Sequence, residues 1–142
     1  IRDCFANSAL ACEILDGDLT AASSIKMCYA AWSKGSAALL FAVAALAESC
    51  GVRNALTEQW QRSIPGLEQR LNKSSATNAA KAWRFAGEMD EIAATFSAAD
   101  LPPQFHQGAA AIYAALEAFR DTKQDVSATM LIEALLERRP IG

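Results

Sequence analysis

The sequence predicts an all-α domain of five to six helices wrapped around one long central helix, about residues 20–50. Three observations predict it. Alanine is very frequent, whereas glycine (7) and proline (4) are few and β-branched residues are sparse, a balance that favours helix. Apolar residues recur at helical spacing through most of the chain. The stretch from Gly17 to Gly51 runs long with little polar interruption, and a helix apolar on nearly all sides is normally buried at the centre of its domain.

The elements follow in order. Ile1, Cys4 and Phe5 suit the end of a helix and Asn7-Ser8 a turn, while Leu10 to Leu15 alternates as a short strand. A lone strand has no partner in a helical chain, and its edge is a template for pairing with another copy. The long helix follows, roughly eight turns at 3.6 residues per turn. Asp18 or Thr20 is expected to cap it, and Gly51 to end it in the left-handed conformation. Ile25, Tyr29, Trp32, Leu39, Leu40, Phe41, Val43 and Leu46 are its expected core residues.

After Gly51 a shorter helix is expected from about Asn54 to Ser63, broken by Pro65-Gly66. Leu67 to Leu71 makes one or two turns. Ser74, Ser75 or Asn78 then caps a helix running to about Ala99, with Phe85, Met89, Ile92 and Phe96 buried. Leu101-Pro-Pro restarts a helix to about Arg120, whose buried stripe is Phe105, Ile112, Leu116 and Phe119. His106 and Tyr113 lie seven apart on a neighbouring face. Asp125 caps a last amphipathic helix that Arg138, Arg139 and Pro140 end.

The 142 residues make one domain by size. A net charge of −3, with acids and bases interspersed, gives no basic patch of the kind nucleic acid requires. No run of 18 uncharged apolar residues occurs, since Lys34 and Glu48 flank Ala37 to Ala47, so no membrane-spanning helix is expected. Cys4, Cys12, Cys28 and Cys50 match no zinc spacing and are expected to be free, buried thiols in a reducing, cytoplasmic compartment. No metal site is expected. No signal peptide is visible, and Ile1 in place of methionine suggests a fragment or a processed product.

Chemistry points first to Lys26, set among Ile25, Met27, Cys28 and Tyr29, because lysine is seldom buried without a reason. Ser23, Tyr29 and Ser33 share its helix face. In the bland reading its ammonium reaches water at the helix edge and does nothing. In the functional reading it carries a proton. Arg84 and Glu88 are an i,i+4 pair, by default a solvated one. His106 has the residue type of a pH-sensitive acid or base, but no ligand-spaced partner, and is a minor candidate.

Gly17 followed nine residues later by Lys26, at the head of a long helix, resembles the β-hydroxyacid dehydrogenase family. The nearer likeness is a branch related to 6-phosphogluconate dehydrogenase by its cofactor domain. That branch carries Ala-Ala-Ser-x-x-Lys-Met-x-Tyr-Ala-Ala-x-x-Lys-Gly, here Ala21 to Gly35, and later Trp-Arg-x-x-Gly-Glu-Met-x-Glu-Ile, here Trp83 to Ile92. The resemblance covers most of the chain. It implies that residues 1–16 are the last strand of an upstream dinucleotide-binding domain and residues 17–142 the helical C-terminal domain. It also implies a homodimer, NAD or NADP as cofactor of the parent protein, and a small hydroxy acid as substrate.

The resemblance implies that Lys26 gives or takes the hydroxyl proton, and its apolar neighbours are expected to ease its discharge, because desolvation disfavours an ammonium. Ser23, Tyr29 and Ser33 would hold substrate oxygens, and Trp83, Arg84 and Glu88 would border the pocket. This sequence departs from the wider family at Thr20 and Ala22 (glycine there), Ala30 (asparagine) and Gly87-Glu88 (a Lys-Asp pair), so Lys26 alone carries over directly. No Gly-x-Gly-x-x-Gly occurs anywhere in the chain, so the fragment by itself is expected to bind no dinucleotide and to be inactive. The alternative is a non-enzymatic helical interaction or dimerisation module in which Lys26 is merely hydrated.

Overall fold

A computed structural model describes residues 20–137. It contains α1 (Ala21–Ser49), α2 (Arg53–Ser63), α3 (Leu67–Asn78), α4 (Ala82–Ala98), α5 (Gln104–Ala114) and α6 (Ala128–Glu137), with single 3-10 turns at Ala79–Lys81 and Glu117–Phe119. The described residues form no strand, so the fold is all-α. The expected strand at Leu10 to Leu15 and the 1–16 segment lie outside the described residues, as do Asp18, Cys4, Cys12, Arg138 and Arg139.

α1 is the central element, packing against each of the other five helices, and α4 and α5 form the most extensive pair. Small residues make this possible. Ala30, Ala31, Ala37, Ala38, Ala44 and Ala45 are buried along α1. At Gly35 the absence of a side chain admits α5: an added Cβ would stand 3.2 Å from Phe105 Cε1 and 3.6 Å from His106 Nε2. The large side chains sealed in the middle are Tyr113, Phe41, Leu71, Met89, Ile92, Leu116 and Leu131.

α1 ends as its sequence predicts. Gly51 has φ +69°, its N–H donates to Glu48 O at 3.0 Å, and Val52 N–H donates to Ala47 O at 2.9 Å, the paired bonds of a Schellman end. α4 ends in the same way without glycine. Asp100 has φ +57°, its N–H donates to Ser97 O at 3.1 Å, and Leu101 N–H donates to Phe96 O at 2.9 Å.

Five expectations are corrected. First, α1 is not buried all round: Ile25, Tyr29, Trp32, Leu39 and Leu46 are 50 to 73% exposed, because the other helices cover one side of it. Second, Ser74 and Ser75 do not cap; α3 runs through them, and Ser75 Oγ, fully buried, donates to Leu71 O at 2.9 Å, a back-bond that satisfies the hydroxyl inside the helix. The next helix therefore starts only at Ala82. Third, α5 stops at Ala114, and its buried side is His106, Ala109, Ala110 and Tyr113, whereas Phe105 is 49% exposed. Fourth, the last helix is capped by Ser127, whose Oγ accepts from Met130 N–H at 3.2 Å, and not by Asp125. Fifth, Cys28 and Cys50 are free but exposed.

By length and composition α1 is apolar enough to cross a bilayer, which the count of uncharged residues did not anticipate. Half of its most apolar window is buried against the rest of the fold, as in the core helix of a helical domain.

Candidate functional site

The two sequence motifs occupy α1 (Ala21 to Gly35) and α4 (Trp83 to Ile92), and one ion pair joins them. Lys34 Nζ donates to Glu88 Oε2 while lying 4.6 Å from the centroid of the Phe85 ring. Glu88 is thus paired across the helix interface and not with Arg84, its expected i,i+4 partner. Arg84 is exposed and its guanidinium lies 5.6 Å from the Trp83 ring.

Tyr113 of α5 closes the junction from below. Its hydroxyl donates to Lys34 O at 2.8 Å, and its ring meets Phe41 (6.5 Å, 89°) and Phe85 (5.4 Å, 75°) edge-on. Burial, and secondarily the Glu88 charge, pushes the Tyr113 hydroxyl well above the ordinary tyrosine pKa. Lys34 and Tyr113 are the functional-site neighbours that sequence reasoning missed. Lys34 sits inside the first motif, but nothing in the sequence shows that its partner is 54 residues away.

His106 is buried at 4% exposure, between the Phe96 ring at 4.4 Å and the Phe105 ring at 5.1 Å. Neither ring nitrogen has a well-formed hydrogen bond among the described residues. Desolvation lowers its pKa from the ordinary 6.5, and an interaction with the Ala31 backbone partly opposes that.

The remaining candidates divide by position. Ser23, Lys26 and Tyr29 are exposed on the first turns of α1 and Ser33 is half-buried. None of the four side chains reaches a side chain of another described helix by hydrogen bond or ion pair. The desolvation expected for Lys26 is therefore not supplied by the described residues. From Lys26 to Lys34 is eight residues, about 12 Å along the helix axis. Trp83, in the first turn of α4, is half-buried and faces the segment beyond α5. The Arg120 guanidinium stacks 4.2 Å from its ring centre, and its Nε1 donates to Asp121 Oδ1 at 3.4 Å. So the structure brings Glu88 together with the α1 motif, through Lys34, and leaves Lys26 on the rim. An apolar groove of about 330 Å³ lies between α1 and α5, lined by Ala38, Leu39, Phe105 and Ile112 among others, and none of the predicted site residues lines it. No group of histidine, cysteine and acidic side chains among the described residues is placed to hold a metal ion.

A family model described as a domain of unknown function, DUF1932, matches residues 47–116. The DUF1932 match covers just under half of the chain, from the last turn of α1 to just past the end of α5. It includes Trp83, Arg84 and Glu88, and Tyr113 beneath them, whereas Ser23, Lys26, Tyr29 and Ser33 precede it. No curated protein and no solved structure matches the chain.

Proposed function

We propose that the chain is the helical C-terminal, substrate-side and dimerisation domain of an NAD(P)-dependent dehydrogenase acting on a small hydroxy acid. The observation that carries the reading is the junction of the two motifs: α1 and α4 are packed together, with Lys34 of one paired to Glu88 of the other. The DUF1932 match to residues 47–116 supports a dehydrogenase-associated C-terminal domain.

The residues present do not fit a dinucleotide. The described chain is helix and turn, without the strand, glycine loop and helix start that cradle a pyrophosphate. In this reading NAD or NADP is held by a separate domain of the parent protein, and this chain alone is inactive. Its own contribution is a proton carrier and a binding wall. Lys26 Nζ gives or takes the proton of the substrate hydroxyl. Ser23, Tyr29 and Ser33, on the same side of α1, orient substrate oxygens. Trp83, Arg84 and Glu88 border the pocket, with Glu88 fixed by Lys34. Lys26 is exposed in this chain, so its desolvation must come from the covering domain or from a second copy.

In the full-length parent, Lys26→Ala is expected to lower kcat by at least about 100-fold, the low end of what a positioned acid or base contributes, while cofactor affinity stays within about twofold. Turnover retained at the parent's rate would sink the assignment of Lys26. A second reading, a non-enzymatic helical interaction module in the cytoplasm, is favoured by the exposure of Lys26 and of the apolar side of α1. A strand followed by Gly-x-Gly-x-x-Gly in the coding sequence before Ile1 decides between the two.

A further inference from the structure

A second groove, of about 250 Å³, lies where α2 and α3 meet α1. Its apolar lining is Leu39, Leu40, Val43, Trp60 and Leu67, and Ser36 and Arg70 complete it. The walls are fixed. Leu40 and Trp60 are buried. The Trp60 ring is braced by the Arg53 guanidinium 5.4 Å from its centre, and Arg53 is itself neutralised by Glu68 at 2.7 Å. A cavity of about 150 Å³ takes benzene, and drug-sized ligands fill roughly 300–1,000 Å³. This groove therefore suits one ring with a short arm.

Arg70 gives the groove its sign. The side chain is exposed at the rim, and one of its N–H groups donates to Ser36 Oγ. The Ser36 hydroxyl is in turn directed at Ser33 O, 3.4 Å away, so Ser36 anchors the guanidinium and is not free to donate to a ligand. A guanidinium has five N–H donors, and no carboxylate among the described residues pairs with Arg70. None stands at helical spacing on α3 either: three and four residues away are Gly66, Leu67, Lys73 and Ser74. Lys73 adds a like charge, and Glu68 is taken by Arg53. The apolar groove thus opens beside a cation whose remaining donors lack an anion.

We propose that this groove binds a small monocarboxylate with an apolar body, the body against Trp60 and Leu67 and the carboxylate on Arg70. The planar fork of a guanidinium matches the two oxygens of a carboxylate. The body must be apolar, because a hydroxyl placed among Leu40, Val43 and Leu67 would lose its water without gaining a partner. A small hydroxy acid is therefore not the ligand here. The groove shares no residue with the site proposed around Lys26, and Ser36 lies ten residues, about 15 Å along α1, from Lys26. The inference goes beyond the dehydrogenase reading and stands or falls separately from it.

The test uses the whole chain with phenylpropionate as probe and phenylpropionamide as its neutral control. The readout is the three tryptophan indole N–H signals in a proton–nitrogen NMR spectrum, assigned with Trp32→Phe and Trp83→Phe. The acid is expected to move the Trp60 signal, with Kd on the order of a few millimolar at the efficiency usual for small ligands, and to leave Trp32 and Trp83 in place. The amide should bind about fivefold more weakly, the scale of one exposed ion pair. In Arg70→Met, its fold checked by circular dichroism, acid and amide should bind alike at the level of the amide. Equal affinity for the two in the unmodified chain overturns the proposal, as does a preference for the acid that survives Arg70→Met. No Trp60 shift at ten times the expected Kd also overturns it. A dimer in sedimentation that Leu39→Glu splits, with the Trp60 signal moved by dilution alone, gives the groove to a second copy and has the same force.

Discussion

Replacing Tyr113 separates the two things it does at the junction of α1, α4 and α5. Tyr113→Phe removes only the hydroxyl that donates to Lys34 O at 2.8 Å. That carbonyl keeps its bond within the α1 ladder, so no buried acceptor is orphaned, and the cost is that of one net hydrogen bond, about 1 kcal/mol. Tyr113→Ala also removes a fully buried ring and its edge contacts to Phe41 and Phe85, for which about 3–5 kcal/mol is expected. Urea unfolding followed by circular dichroism reads both as shifts of midpoint at constant slope. A 1 kcal/mol loss corresponds to a fall in Tm of about 4 °C in a chain of this size. Equal losses in the two variants would refute the role given to the ring, and a costless Tyr113→Phe would refute the hydrogen bond. The pH dependence adds a check. Because the folded-state pKa of Tyr113 is raised, its stabilisation is complete below the ordinary value of 10.0 and is lost as pH rises beyond it. Tyr113→Phe should therefore flatten the alkaline limb of the stability profile.

The remaining predictions concern neighbouring groups. His106 has a lowered folded-state pKa, so stability is complete above pH 6.5 and falls as pH drops below it, by at most about 1.4 kcal/mol per pH unit; His106→Leu should remove that acid limb in urea titrations at pH 7 and pH 5. Lys34→Met and Glu88→Gln, alone and together, should give a coupling free energy of about 0.5–1 kcal/mol, small because Glu88 is 41% exposed; a larger coupling of Glu88 to Arg84 would contradict the pairing. Gly51→Ala forces a β-carbon into φ +69° and should cost about 1 kcal/mol in the same assay, whereas an unchanged midpoint would mean that the α1 end is made differently.

How much of this was legible depends on whether the deciding partner was local. The end of α1 was readable because Gly51, Glu48 and Ala47 are adjacent in sequence. The core positions Met89 and Ile92 followed from spacing alone. α5 was misread by one residue because both of its sides are apolar: Phe105 and His106 are neighbours, and only the arrival of Gly35 from α1 decides that the histidine turns inward. Serine caps as readily as it back-bonds, and at Ser75 burial makes the choice. Likewise the exposure of Ile25, Tyr29 and Trp32 could not be read from composition, since an apolar helix looks the same whether its partner is its own chain or another. At the candidate site, Glu88 was found but its partner was not, because Lys34 and Glu88 are joined only by the packing of α1 on α4.

The most direct test of the dehydrogenase reading is the intact mass of the natural gene product, with the sequence of whatever precedes Ile1. The account predicts about 150–180 further residues carrying a strand and Gly-x-Gly-x-x-Gly, and a full-length protein that turns over a hydroxy acid with NAD or NADP. A natural product that starts at or near Ile1 would contradict it, leaving Lys26 without a cofactor to serve and the chain as a helical interaction module.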